Sequence, residues 1–128
     1  MNLLLDTHVL IWLVEGSENL SQSAKQAIEN EQNSLYLSIA SLWEMSIKMS
    51  LGKLQLGISL DRIVESYLLP TSIEILPINI NHLLVLLDLP SHHRDPFDRM
   101  LISQAQAEEL TLVSGDRLFG DYLVQLLW

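Results

Sequence analysis

The sequence predicts an α/β domain, a three-layer sandwich with a mostly parallel central sheet of four to five strands flanked by helices. Three observations carry this expectation. Short, largely apolar runs recur at 2–5, 35–37 and 110–113, the pattern of strands buried on both faces. Segments with helical periodicity separate them, so strand and helix alternate along the chain. The length of 128 residues fits one domain with its own core and is too short for two.

Taken in order, residues 2–5 form a strand ending at Asp6, and 8–14 continue as a helix up to Glu15-Gly16-Ser17. Residues 20–30 are an amphipathic helix with Ala24, Ala27 and Ile28 on one side and Lys25 and Glu29 paired at i,i+4 on the other. A second strand at 35–37 leads into a helix over 40–49 that Gly52 ends, and Pro70 stops a further helix over 60–69. Residues 73–78 alternate as a third strand, followed by a helix over 81–87 and a loop over 89–94. The helix over 96–109 and the strand over 110–113 complete the pattern. The Leu-rich segment 123–128 is either a last edge strand or part of a dimer surface.

Composition narrows the class. A hydrophobic share of 48% with 18% charged residues buries enough apolar surface to offset chain entropy, which excludes a disordered chain. The absence of cysteine excludes disulfides, thiolate zinc sites and a cysteine nucleophile, and a reducing cytoplasm is the expected compartment. The apolar N-terminus lacks the basic start of a signal peptide and carries Asp6 and His8, and no apolar run reaches the roughly 18 to 20 residues that span a bilayer. No membrane association is expected. The net charge of −9 counts against nucleic acid as a partner, unless acidic side chains converge on divalent cations that cancel their charge and attract phosphate.

The acidic residues favour that exception. Ligands of open α/β sheets gather at the carboxyl ends of the strands. Asp6 directly follows the first strand, and Asp116 follows the last one by a Ser114-Gly115 turn. Glu44 and Asp98 fall in the first turns of helices, from which they can point to the same rim. Gathered carboxylates repel, and either protonation or a cation relieves them. Oxygen ligands without thiolate favour Mg²⁺ or Mn²⁺ over zinc, and such a site activates water against a phosphodiester.

Ordinary structural roles compete for the same residues. Asp95 fits a helix N-cap, with Pro96 at the first position and Asp98 complementing the dipole. Ser41 to Glu44 fits a capping box, and Glu44 and Lys48 are an i,i+4 pair. Asp116 also suits a turn or cap. Asp6 has the weakest such alternative, because an acid inside an apolar run needs a partner or an ion.

Several segments resemble the PIN-domain nucleases, in particular the VapC-type toxins of bacterial toxin–antitoxin pairs. They are Leu3-Leu4-Leu5-Asp6-Thr7-His8, Ser38-Ile39-Ala40-Ser41-Leu42-Trp43-Glu44-Met45-Ser46-Ile47-Lys48, His93-Arg94-Asp95-Pro96-Phe97-Asp98-Arg99 and Leu112-Val113-Ser114-Gly115-Asp116, in the family's order and over nearly the whole chain. The resemblance implies a PIN-like sandwich and a Mg²⁺- or Mn²⁺-dependent endoribonuclease. Its acidic site would be Asp6, Glu44, Asp98 and Asp116, with Asp98 and not Asp95 matching the family's acid, and with Thr7 and Ser114 as supporting hydroxyls. Gly115 stands where the family often has a larger residue. A cognate antitoxin whose tail covers the acidic groove, an RNA substrate and a homodimer are implied as well.

Lys48, Arg94, Arg99 and Arg117 fall near the expected rim, where they either hold RNA phosphates, pin the carboxylates or face solvent. His8 packs beside the first helix, and His92 and His93 lie in a loop without the spaced partners that zinc requires. Trp12, Trp43 and Trp128 suit core or interface positions better than base stacking. Two other functions fit part of the pattern. A haloacid-dehalogenase-like phosphatase would use Asp6 as nucleophile, but His8 stands where that family needs a second acid. A non-catalytic RNA- or protein-binding module has no use for the full set of acids.

Overall fold

The computed structural model describes residues 1–128 and contains five strands, β1 (Asn2–Leu5), β2 (Ser34–Ser38), β3 (Ile73–Leu76), β4 (Thr111–Val113) and β5 (Gln125–Leu127). All pair in parallel, in the order β3-β2-β1-β4-β5. The chain ends as an edge strand, with Leu112 opposite Leu126. The first strand is therefore central. From it the chain winds outward through β2 and β3, then returns to β4 on the other side, which makes the β1/β4 boundary the switch point of the sheet.

Six α-helices connect the strands: α1 (Thr7–Glu15), α2 (Gln22–Glu29), α3 (Ile39–Ser50), α4 (Leu60–Ile63), α5 (Ile80–Leu87) and α6 (Pro96–Ala107). Alternate residues of β1 face opposite layers. Leu3 and Leu5 pack with Val9, Leu10, Ala24, Ile28 and Met45 from the first three helices. Leu4 turns the other way, onto Leu101, Ile102, Ala105 and Phe119. Full burial of Leu3, Leu4 and Leu5 explains why this strand shows no polar alternation.

Local chemistry sets the helix ends. Ser21 caps α2 by accepting from the Ala24 amide at 3.1 Å, two residues later than the periodicity suggests. The expected helix at 60–69 is α4 followed by a π-helical turn, Val64–Leu68, of wider hydrogen bonding. β3 stops at Leu76 and not at residue 78, because Pro77 has no amide to continue the ladder. α6 ends at Ala107, and Glu109 takes a positive φ of 54° before β4 begins. α3 begins earlier than expected, with Ser38 as its cap accepting from the Ala40 amide at 3.0 Å. The capping box expected over Ser41 to Glu44 is thus absent. No helix is long and apolar enough to cross a membrane.

Candidate active site

Four strand and helix ends meet over the switch point. Asp6 immediately follows β1, and its amide donates to the Val113 carbonyl at 3.0 Å, fixing the acid beside the end of β4. Glu44 lies in the second turn of α3, buried to 5% exposure, and Asp98 in the first turn of α6. Asp116 follows the Ser114-Gly115 turn. All four acids line one cleft of about 620 Å³, together with His8, Trp12, Lys48 and Asp95 among others.

Each acid has distinct neighbours. Ser114 Oγ donates to Asp6 Oδ2 at 2.8 Å and also accepts from the Asp116 amide at 3.1 Å, so one hydroxyl ties two of the acids together. Thr7 Oγ1 donates to Ser41 Oγ at 2.9 Å and joins α1 to α3 beneath the site. Lys48 Nζ donates to Glu44 Oε2 at 2.9 Å, the expected i,i+4 pair. Asp95 Oδ1 accepts from the Phe97 and Asp98 amides, so the cap assigned from sequence holds. That cap fixes the start of α6 and the direction from which Asp98 enters.

The crowding of negative charge shows in the acids' proton affinity. Burial first, then the neighbouring Asp95, Asp6 and Glu44 carboxylates, together push the Asp98 carboxyl up to about 7 from the ordinary 3.8, against a lowering effect of His93. Asp6 is raised as well, chiefly by burial, against the lowering effect of the Ser114 hydrogen bond. These acids are arranged at a cost to the bare protein.

His93 is the residue that sequence reasoning missed. Its Nε2 lies 2.9 Å from Asp116 Oδ2, and its ring stacks on Phe119 with centroids 4.7 Å apart. Its backbone N–H donates to the Tyr122 hydroxyl at 2.8 Å. One ligand atom each from His93, Asp98 and Asp116 lies within 4.8 Å of the others. The only signal in the sequence was position, one histidine two residues before the helix cap that leads to Asp98. Its 23-residue separation from Asp116 hides the contact from any local pattern.

Other expected site residues fall elsewhere. The Arg99 guanidinium donates to the Pro90 carbonyl at 2.9 Å and the Leu89 carbonyl at 3.3 Å, so it fastens the loop before α6 and does not line the cleft. Arg94 and Arg117 are exposed and outside the cleft lining. Trp43 is 59% exposed and edge-on to Phe97, which leaves the interface alternative of the core or interface position its helix pattern suggested. Asp116 is both a cap, accepting from the Leu118 amide at 3.0 Å, and the partner of His93 through its other oxygen. The cap and the histidine contact use different oxygens.

A model of the PIN domain family matches residues 3–122. The chain belongs to the PIN domain family. Solved structures share this PIN-domain fold over nearly the full length. Similar chains occur in VapBC2 from Rickettsia felis bound to a promoter DNA fragment (TM-score 0.73, 18% identity, 98% of this chain and 97% of that one). They also occur in FitAcB from Neisseria gonorrhoeae (TM-score 0.63, 20% identity, 97% and 95%). A toxin–antitoxin complex from Klebsiella pneumoniae is a third (TM-score 0.59, 23% identity, 89% and 86%). No curated protein matches in sequence. At these identities the structural matches establish the PIN fold, and membership of the family assigns hydrolytic nuclease chemistry.

Proposed function

We propose that this PIN domain is a divalent-metal-dependent endoribonuclease and the toxin of a toxin–antitoxin pair. The observation that carries the metal is the convergence of Asp6, Glu44, Asp98 and Asp116 on one cleft at the switch point, with Asp98 held at about 7 by burial and by its acidic neighbours. A cation would neutralise that crowding. The proposed donor set is carboxylate oxygen, which suits Mg²⁺ or Mn²⁺. Asp6 and Asp98 would hold the ion, with Glu44 and Asp116 completing the set. When bound, such an ion supplies Lewis acidity toward phosphate oxygens and lowers the pKa of water.

The chain's own residues do the rest. Ser114 orients Asp6, and His93 orients Asp116, each through the oxygen it contacts. Lys48 balances Glu44 at the cleft edge.

Toxin identity rests on the company this fold keeps, since the solved chains it resembles are described as VapBC, FitAcB and toxin–antitoxin complexes. Two exposed apolar faces support partners. Ile80, Leu83, Leu84 and Leu87 of α5 present one, suited to a second copy, and Ile39, Trp43 and Ile47 of α3 present another, suited to an antitoxin segment. A cytoplasmic location accords with that role. The test is digestion of total RNA with Mn²⁺ by the wild type and by Asp6→Ala. Cleavage that a chelator stops and the substitution abolishes supports the assignment, and cleavage that survives Asp6→Ala refutes it.

A further inference from the structure

One wall of the acidic cleft is aromatic. Trp12, from α1, and Trp128, following β5, are the two hydrophobic side chains in the cleft lining, beside Asp6, Gly115 and Asp116. Their ring centroids lie 5.7 Å apart at 51°, and His8 packs against Trp12 at the same separation. Trp128 keeps 39% of its surface exposed despite this packing. The turn that carries Asp116 is shaped around it, since a Cβ on Gly115 would stand 3.0 Å from Trp128 Cε2.

Basic groups offer little at this site. Lys48 is paired with Glu44, Arg99 is bonded to loop carbonyls, and Arg94 and Arg117 lie outside the cleft lining. With a net charge of −9, the protein has few free cations with which to hold a polyanion there. Beyond what a bound ion supplies, affinity must come from another source. Base–aromatic stacking is one that needs no positive charge, because every base has a π-face.

Resting on the nuclease assignment, we propose that Trp12 and Trp128 form a nucleobase subsite, on which a base next to the scissile phosphate stacks while the phosphate lies among the carboxylates. Asn19 lines the same cleft and supplies a donor and an acceptor suited to a base edge. Stacking positions the strand and leaves the hydrolytic chemistry to the acids.

The test is an abasic scan. Short single-stranded RNAs, each with one base removed near the cleaved bond, are digested with Mn²⁺ by the wild type, Trp128→Ala and Trp128→Phe. Unfolding temperatures verify that the variants are folded. For the wild type, one abasic position raises KM about five- to tenfold. In Trp128→Ala the intact substrate already shows that increase and the abasic penalty disappears, whereas Trp128→Phe restores most of it. A flat scan with active wild type, or a penalty that persists unchanged in Trp128→Ala, overturns the subsite alone and leaves the wall to packing or to a protein partner. Wild type that cleaves no RNA overturns the nuclease assignment and the subsite with it.

Discussion

Ser114 Oγ donates to Asp6 Oδ2 at 2.8 Å across 108 residues of sequence. The bond joins the ends of the central strand β1 and its neighbour β4 and holds the first acid in place by a hydroxyl that is itself fully buried. Ser114→Ala leaves one oxygen of a buried carboxylate without its donor, which costs about 1–3 kcal/mol. It also loosens the aim of Asp6, and Mn²⁺ affinity falls about tenfold. Thermal unfolding with and without Mn²⁺ measures both effects. An unchanged metal response would show that the hydroxyl serves stability alone.

Asp98 stands under the opposite pressure. Removing its charge relieves repulsion from Asp95, Asp6 and Glu44, so Asp98→Asn unfolds at a higher temperature than the metal-free wild type. The same variant loses the stabilisation that Mn²⁺ gives, and its RNA cleavage falls by at least about 100-fold. A more stable but inactive protein is the signature of an acid kept for function. A variant both less stable and inactive would assign Asp98 a structural role.

The raised Asp98 carboxyl also sets a pH dependence. Its value of about 7 lies well above the ordinary 3.8, so between those limits the folded protein holds a proton that the unfolded chain has released. Stability from this group is therefore full below about pH 4 and is lost as pH rises towards about 7. A bound cation must displace that proton, so apparent Mn²⁺ affinity rises up to about tenfold per pH unit below about 7 and then levels. Unfolding temperatures from about pH 5 to 8, with and without Mn²⁺, read this as a gap that widens and then stays constant.

Gly115 and Trp128 form a matched pair. The methyl group of Gly115→Ala meets the indole edge at 3.0 Å, so Trp128 must give by a few tenths of an ångström, and the variant loses up to about 1 kcal/mol through overpacking. In Trp128→Ala the space is open, so adding Gly115→Ala costs much less, and the double-mutant cycle gives a coupling of about 1 kcal/mol. Additive effects would separate the turn from the tryptophan.

The alternation of apolar runs and helices revealed the sheet: Leu3 to Leu5 and Leu112-Val113, covered on both faces, read as unbroken apolar runs, whereas the half-exposed edge strand β3 showed by its alternation. Asp6 stood out as the one acid within an apolar run, and Pro96 marked the start of α6 by covalent geometry. Contacts between distant segments were illegible. His93 meets Asp116, and Trp128 meets Gly115, only because β5 lies beside β4 and the loop before α6 folds over it. Ser41 seemed a helix cap because the strand β2 and helix α3 join without a loop, and the register of that junction places Ser38 at the cap. Arg99 was drawn to the acids by its neighbour in sequence, but one residue along a helix is a turn of about 100° away from them.

Whether these acids share a divalent cation is read from anomalous diffraction by crystals soaked in Mn²⁺. A shared ion gives a peak in the cleft coordinated by carboxylate oxygens of both Asp6 and Asp98, and that peak is lost in Asp98→Asn crystals. A cleft without a peak at millimolar Mn²⁺, or one whose ion touches neither residue, would contradict it.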